Sequence, residues 1–105
     1  MTAPLAARPR FLIAEDNYLM AQEVGDFIRR CGYDVAGSVP TVETGLALLA
    51  EGPVEGAIID IDLAGEPSYP ICEALASRGL PFVFLSAYSS PHAMIPQEFR
   101  HAPQL

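Results

Sequence analysis

Asp60 stands inside an apolar run, Ala57-Ile58-Ile59-Asp60-Ile61, where an unpaired buried charge is costly. An aspartate that merely caps a turn is the bland alternative, because Asp is common in turns. Three further features surround it in kind. Glu15-Asp16 follow another apolar run, Phe11-Leu12-Ile13-Ala14; Asp62 lies two positions after Asp60; and Ser86 closes a third run, Phe82-Val83-Phe84-Leu85. Carboxylates drawn together repel and raise one another's pKa, and a divalent cation removes the conflict. Magnesium takes oxygen ligands, keeps several waters and is typically held by one or two carboxylates. Asp16 and Asp60 are the candidate carboxylate ligands, with the backbone carbonyl of Asp62 as a third. A carboxylate so placed is also a nucleophile toward phosphorus, giving an aspartyl phosphate. Ser86 is then the expected donor to a phosphate oxygen, and Ala87 beside it is small enough to leave access.

These residues need a scaffold that gathers them. Four apolar runs begin at Phe11, Val35, Ala57 and Phe82, 22 to 25 residues apart. They are continuous rather than alternating, as in strands buried on both faces of a parallel sheet. The intervals carry helix signals. Asn17 caps a helix with an expected apolar face of Met20, Val24, Phe27 and Cys31, stopped by Gly32. Thr41 caps a second with Val42, Leu46 and Leu49 on one face, ended by Gly52-Pro53. Ser68 and Pro70 open a third carrying Ile71, Ala74 and Leu75, closed by Gly79 and Pro81. The reading is βαβαβαβ, and open parallel sheets bind ligands at the carboxyl ends of their strands. Glu15, Asp16, Asp60, Asp62 and Ser86 all fall there.

Composition narrows the classes. The chain has 105 residues, half of them apolar, enough for one small domain. A net charge of −7 argues against nucleic acid or an anionic membrane as a direct partner. Its mean hydropathy, +0.25, is high for a small soluble domain. Cys31 and Cys72 form no CxxC pair and read as small buried apolar residues. With no secretory signal and no membrane-length apolar stretch, a reducing cytoplasm is expected.

The set Glu15-Asp16, Asp60 and Ser86, at the ends of the first, third and fourth runs, resembles the receiver domain of two-component response regulators. The resemblance covers Phe11 to about Arg100. It implies an α/β, flavodoxin-like three-layer fold whose parallel sheet is ordered 2-1-3-4-5. It implies Mg2+ held by the acidic pair, with Glu15 in the outer sphere, together with Asp60 and one backbone carbonyl. It further implies Asp60 as phospho-acceptor, Ser86 as switch hydroxyl, and a histidine kinase or histidine phosphotransfer protein as donor. Pro81-Phe82-Val83-Phe84-Leu85-Ser86-Ala87-Tyr88 is similar to the PFxFATG-type motif of single-domain receivers, with Leu-Ser-Ala in place of Ala-Thr-Gly.

The sequence also departs from that pattern. Receivers carry a lysine after strand five, and this chain has no lysine among its six cationic residues. It ends at Leu105, about where a fifth strand would begin, so residues 1–10 are expected to be an extension and 11–105 a receiver domain lacking strand five and helix five. The uncovered edge and apolar faces are expected to draw two copies together. The missing lysine leaves a second function open, a receiver fold that docks a partner without phosphorylation. A third comes from Asp60-Ile61-Asp62, which also resembles the first motif of haloacid-dehalogenase-type phosphohydrolases, with Asp60 as nucleophile and Asp62 as acid-base. Tyr88 is either a shield over the site or an ordinary loop aromatic. His92 and His101 read as surface residues, Arg29-Arg30 as partners of a helix dipole, and Gly65-Glu66 as a plain turn.

Overall fold

Each of the four apolar runs is a strand, and each interval between them holds a helix. The computed structural model describes residues 8–85. Along the chain these form β1 (Arg10–Ala14), α1 (Tyr18–Arg30), β2 (Asp34–Val39), α2 (Val42–Glu51), β3 (Gly56–Asp60), β4 (Asp62–Leu63), β5 (Glu66–Pro67), α3 (Tyr69–Ser77) and β6 (Phe82–Leu85). The main sheet is wholly parallel and ordered β2-β1-β3-β6, the expected 2-1-3-4 arrangement. β1 and β3 are its inner strands, so Leu12, Ile13, Ala14, Ala57 and Ile59 are buried, and Phe84 of β6 with them.

Two apolar layers flank the sheet. On one face Leu12, Ile59 and Phe84 pack with Leu49 of α2 and with Ile71 and Leu75 of α3. On the other, Ile13 packs with Ala21, Val24 and Ile28 of α1. The helix boundaries follow local chemistry. Asn17 Oδ1 accepts from the N–H of Met20 at 3.0 Å, and Thr41 with Thr44 forms a reciprocal cap on α2. At the end of α1, Gly32 has φ +91° while its N–H reaches Arg29 O and that of Tyr33 reaches Ile28 O. That paired closure needs a left-handed residue, which glycine supplies without steric cost.

The helix faces differ from the sequence reading. The face of α1 against the sheet is Ala21, Val24, Gly25 and Ile28 with Met20 at its margin, so of the expected face Val24 and Met20 hold while Phe27 and Cys31 do not. Phe27 is 51% exposed and Cys31 is exposed; only Cys72 is a buried cysteine. The helix lies close on the sheet, which selects its small residues, whereas a pattern scored by hydrophobicity selects the large ones. Phe27 and Cys31 instead line an apolar groove beside α1, with Phe11, Ile58 and Val83. The same reason turns Leu46 outward on α2. Gly45 takes the inward place, where a Cβ would lie 2.5 Å from Ile71 Cδ1. On α3 the buried set is Ile71, Cys72 and Leu75, with Ala74 partly buried. Ser68 occupies the cap position of α3, yet its side chain makes no capping bond.

The stretch after β3 is more than a turn. β4 and β5 pair antiparallel, Leu63 opposite Glu66, around the two residues Ala64 and Gly65. Both have positive φ, +52° and +86°, the requirement of the tight two-residue hairpin turn that matches strand twist. Leu63, 1% exposed, pins this hairpin into the core.

Candidate functional site

The acidic residues converge because β1 and β3 are neighbours in register. Ala14 lies opposite Ile59, so the next residue on each strand, Glu15 and Asp60, falls at adjacent positions at the carboxyl edge. Glu15 is held from two sides. Its N–H donates to Val39 O at 3.0 Å, and its Oε2 accepts from the N–H of Asn17 at 2.8 Å. It is 7% exposed, an unusual depth for a carboxylate. Asp16, the next residue, is exposed, and Asp60 is half-buried. Glu15, Asp16 and Asp60 each present a carboxylate oxygen, and these atoms lie within 4.8 Å of one another.

That crowding has electrostatic consequences. Burial pushes Glu15 up to about 7; the N–H of Asn17 opposes the rise, and the charges of Asp60 and Asp16 add to it. Asp60 is likewise raised, chiefly by burial and then by Asp16 and Asp62, against the N–H groups of Ile61 and Asp62. Among the described residues the ion pairs are Arg8 with Asp34 and Arg29 with Asp26, and neither reaches the cluster. Three carboxylates thus share one edge without a cation from these arginine pairs. An all-oxygen set of this kind suits a hard divalent cation.

The hairpin closes the site from the third side. The N–H of Ala64 donates to Asp16 Oδ2 at 3.1 Å, and that of Gly65 to Asp62 Oδ2 at 3.2 Å. The carboxylate of Asp62 is therefore engaged within the hairpin. Of the residues singled out from sequence, Glu15, Asp16 and Asp60 come together and Asp62 lies one residue beyond Ile61 on the same edge. Ser86 and Tyr88 lie outside the described residues, as do His92, His101 and the expected gap after β6. Ala64 was missed. Its contribution is a backbone N–H, which no side-chain pattern reports, and the only hint was a glycine after it.

Comparison with known proteins bears on these features. No family model and no curated protein sequence matches the chain, but solved structures do. The chain is similar to SdrG from Sphingomonas melonis Fr1, with 37% identity and a TM-score of 0.83 over 96% of this chain and 85% of that one. SdrG in its BeF3-activated conformation matches over the same shares at 35% identity and a TM-score of 0.76. The receiver domain of the response regulator PhyR from Erythrobacter litoralis matches at 26% identity and a TM-score of 0.76, over 87% of this chain and 70% of that one. TrrA from Thermotoga maritima, solved with Mg2+ and BeF, shares the fold at 17% identity and a TM-score of 0.76, over 91% and 83% of the two chains. With a parallel 2-1-3-4 sheet, an acidic cluster at its carboxyl edge and a relative of 37% identity spanning nearly its whole length, this chain belongs to the receiver domains of response regulators.

Proposed function

We propose that the domain, spanning residues 11–105, accepts a phosphoryl group on Asp60 from a phosphohistidine donor and signals through protein contacts. The observation that carries this reading is the meeting of Glu15, Asp16 and Asp60 at the end of the inner strands, within 4.8 Å. The donor would be a histidine kinase or a histidine phosphotransfer protein of a cytoplasmic two-component relay. No helix among the described residues is long and apolar enough to cross a membrane. In the transfer, an oxygen of the Asp60 carboxylate forms the bond to phosphorus as the P–N bond breaks, and the electron pair leaves with the imidazole. The domain performs this on itself and turns over no separate substrate.

The residues fit Mg2+. Asp16 and Asp60 would be direct ligands with the Asp62 carbonyl, and Glu15, the most buried of the three carboxylates, would act from the outer sphere. When bound, Mg2+ supplies the positive charge that lets these carboxylates ionise together and that balances the phosphoryl oxygens. Asp60 must be ionised to attack, and its half-buried place at the strand end keeps it dry enough to be reactive yet open to a donor. Ser86 would donate to a phosphoryl oxygen. Tyr18 and Leu19, 72% and 69% exposed at the start of α1, flank the acidic edge and offer apolar area to a docking donor.

A second reading is a receiver fold that binds its partner without phosphorylation. A third reading is the phosphohydrolase, with Asp60 as nucleophile and Asp62, one of whose oxygens accepts from Gly65 N–H, as acid-base. One experiment separates the three. Incubation with acetyl phosphate or phosphoramidate and Mg2+ is expected to label the protein stoichiometrically, with a base-labile adduct that EDTA or Asp60→Asn abolishes. Sustained turnover of a phosphomonoester would instead point to a hydrolase, and no labelling to a binding module.

A further inference from the structure

Ala64 is an odd residue for its place. Non-glycine residues with positive φ are uncommon, because the left-handed conformation crowds Cβ against the following carbonyl oxygen. The turn after Leu63 nonetheless holds Ala64 at φ +52°, followed by Gly65 at +86°. Three features hold it there. Leu63 is buried beside it; Ser68 N–H closes the hairpin base onto Ile61 O at 2.8 Å; and β4 pairs with β5. The conformation turns the N–H of Ala64 toward Asp16 Oδ2, 48 residues earlier in the chain.

That bond is the described side-chain link between the hairpin and the segment after β1. Asp16 is exposed and carried on the short connection between β1 and α1, where its side chain also meets the neighbouring Glu15 carboxyl. A hydrogen bond to a carboxylate is stronger than a neutral one and directional. A carboxylate anchored through Oδ2 on Ala64 still has acceptor capacity for a cation shared with Asp60. Outer partners that orient a ligand in this way commonly govern metal affinity by about 10–100-fold. We infer that the Ala64 N–H is a positioning group for the cation site: the hairpin tip holds the Asp16 carboxylate in its ligating orientation, and its positive φ is retained to aim that donor. This rests on the Mg2+ reading of the site given above.

The test replaces Ala64 by lactic acid through semisynthesis of the full chain, which exchanges the N–H for an ester oxygen and leaves the methyl group in place. Ala64→Gly is the companion, keeping the N–H and easing the positive φ. Mg2+ affinity is read by chemical-shift titration of the Asp16, Asp60 and Ala64 signals, and the Mg2+ dependence of acetyl-phosphate labelling beside it. The ester is expected to weaken Mg2+ binding about tenfold, while Ala64→Gly stays within about twofold of the parent. The Mg2+ concentration for half-maximal labelling rises in step, with far less change in the saturating rate. In the parent, the Ala64 amide proton is expected downfield and to move upfield in Asp16→Ala. An ester variant that binds Mg2+ like the parent overturns the inference and leaves the metal site standing. Equal losses in the ester and glycine variants also overturn it, because turn geometry rather than the N–H would then matter. A parent protein whose Asp16 and Asp60 signals ignore Mg2+ removes the metal reading itself, and the inference with it.

Discussion

Glu15 carries the largest electrostatic strain in the site, and it does so because its neighbours leave it little choice. It sits at 7% exposure with one oxygen held by Asn17 N–H, facing two further carboxylates. Its pKa rises from 4.5 to about 7, and that of Asp60 moves the same way. A carboxyl raised on folding binds its proton more tightly in the native state. Its contribution is therefore complete below pH 4.5 and is lost as pH climbs through about 7. The metal-free protein is accordingly expected to lose stability across that window, and Glu15→Gln to flatten the slope. Mg2+, if the ionised set holds it as proposed, should raise the melting temperature more at pH 7.5 than at pH 5. Calorimetry at the two pH values, with and without Mg2+, measures this. A parent and Glu15→Gln with the same pH slope would contradict the burial argument.

At the scale of elements, the site depends on how closely helices approach the sheet and one another. Gly45 lets α2 lie against α3, with Ile71 filling the space a side chain would take. Gly45→Val forces the helices apart and is expected to cost about 1–3 kcal/mol, a fall of several degrees in melting temperature. Leu46→Ser, one residue along on the outward face, should stay within about 0.5 kcal/mol. Thermal unfolding of the pair decides the orientation of α2, and the reverse ranking would restore the face first read from the sequence. Arg78 supports the same packing from the far end, its guanidinium donating to Leu49 O at 2.9 Å. The β4–β5 hairpin plays the corresponding part beside the acidic edge, converting a loop into an anchored arm.

For the whole molecule, the contrast among the described residues is between a sealed face and one carrying an apolar groove. Ile59 is fully buried under α2 and α3, whereas Phe27 stands in the apolar groove beside α1. Ile59→Ala is expected to cost about 2–5 kcal/mol in denaturant unfolding, and Phe27→Ser well under half of that. The sequence reading expects two copies to meet over the region a fifth strand would cover. If the groove shares in that contact, sedimentation of the parent will show a concentration-dependent dimer that Phe27→Ser weakens. A parent that stays monomeric at high concentration would end that expectation.

The sequence by itself determined the alternation of strands and helices and the identity of the acidic residues, while the strand order followed only from the family resemblance. Continuous apolar runs, caps at Asn17 and Thr41, and stops at Gly32 and Gly52 are local signals, and each acts within a few residues of itself. A carboxylate ending an otherwise buried run, as at Asp60, is equally local and equally plain. What only the tertiary structure decided was which helix face met the sheet and how the acidic edge is held. Phe27 and Ala21 compete for the same sheet, and hydrophobicity favours the first while close packing admits the second. The bond from Ala64 N–H to Asp16 joins a backbone group to a residue 48 positions away, so no pattern of side-chain types foretells it. Such contacts exist only once the two inner strands have brought their ends together.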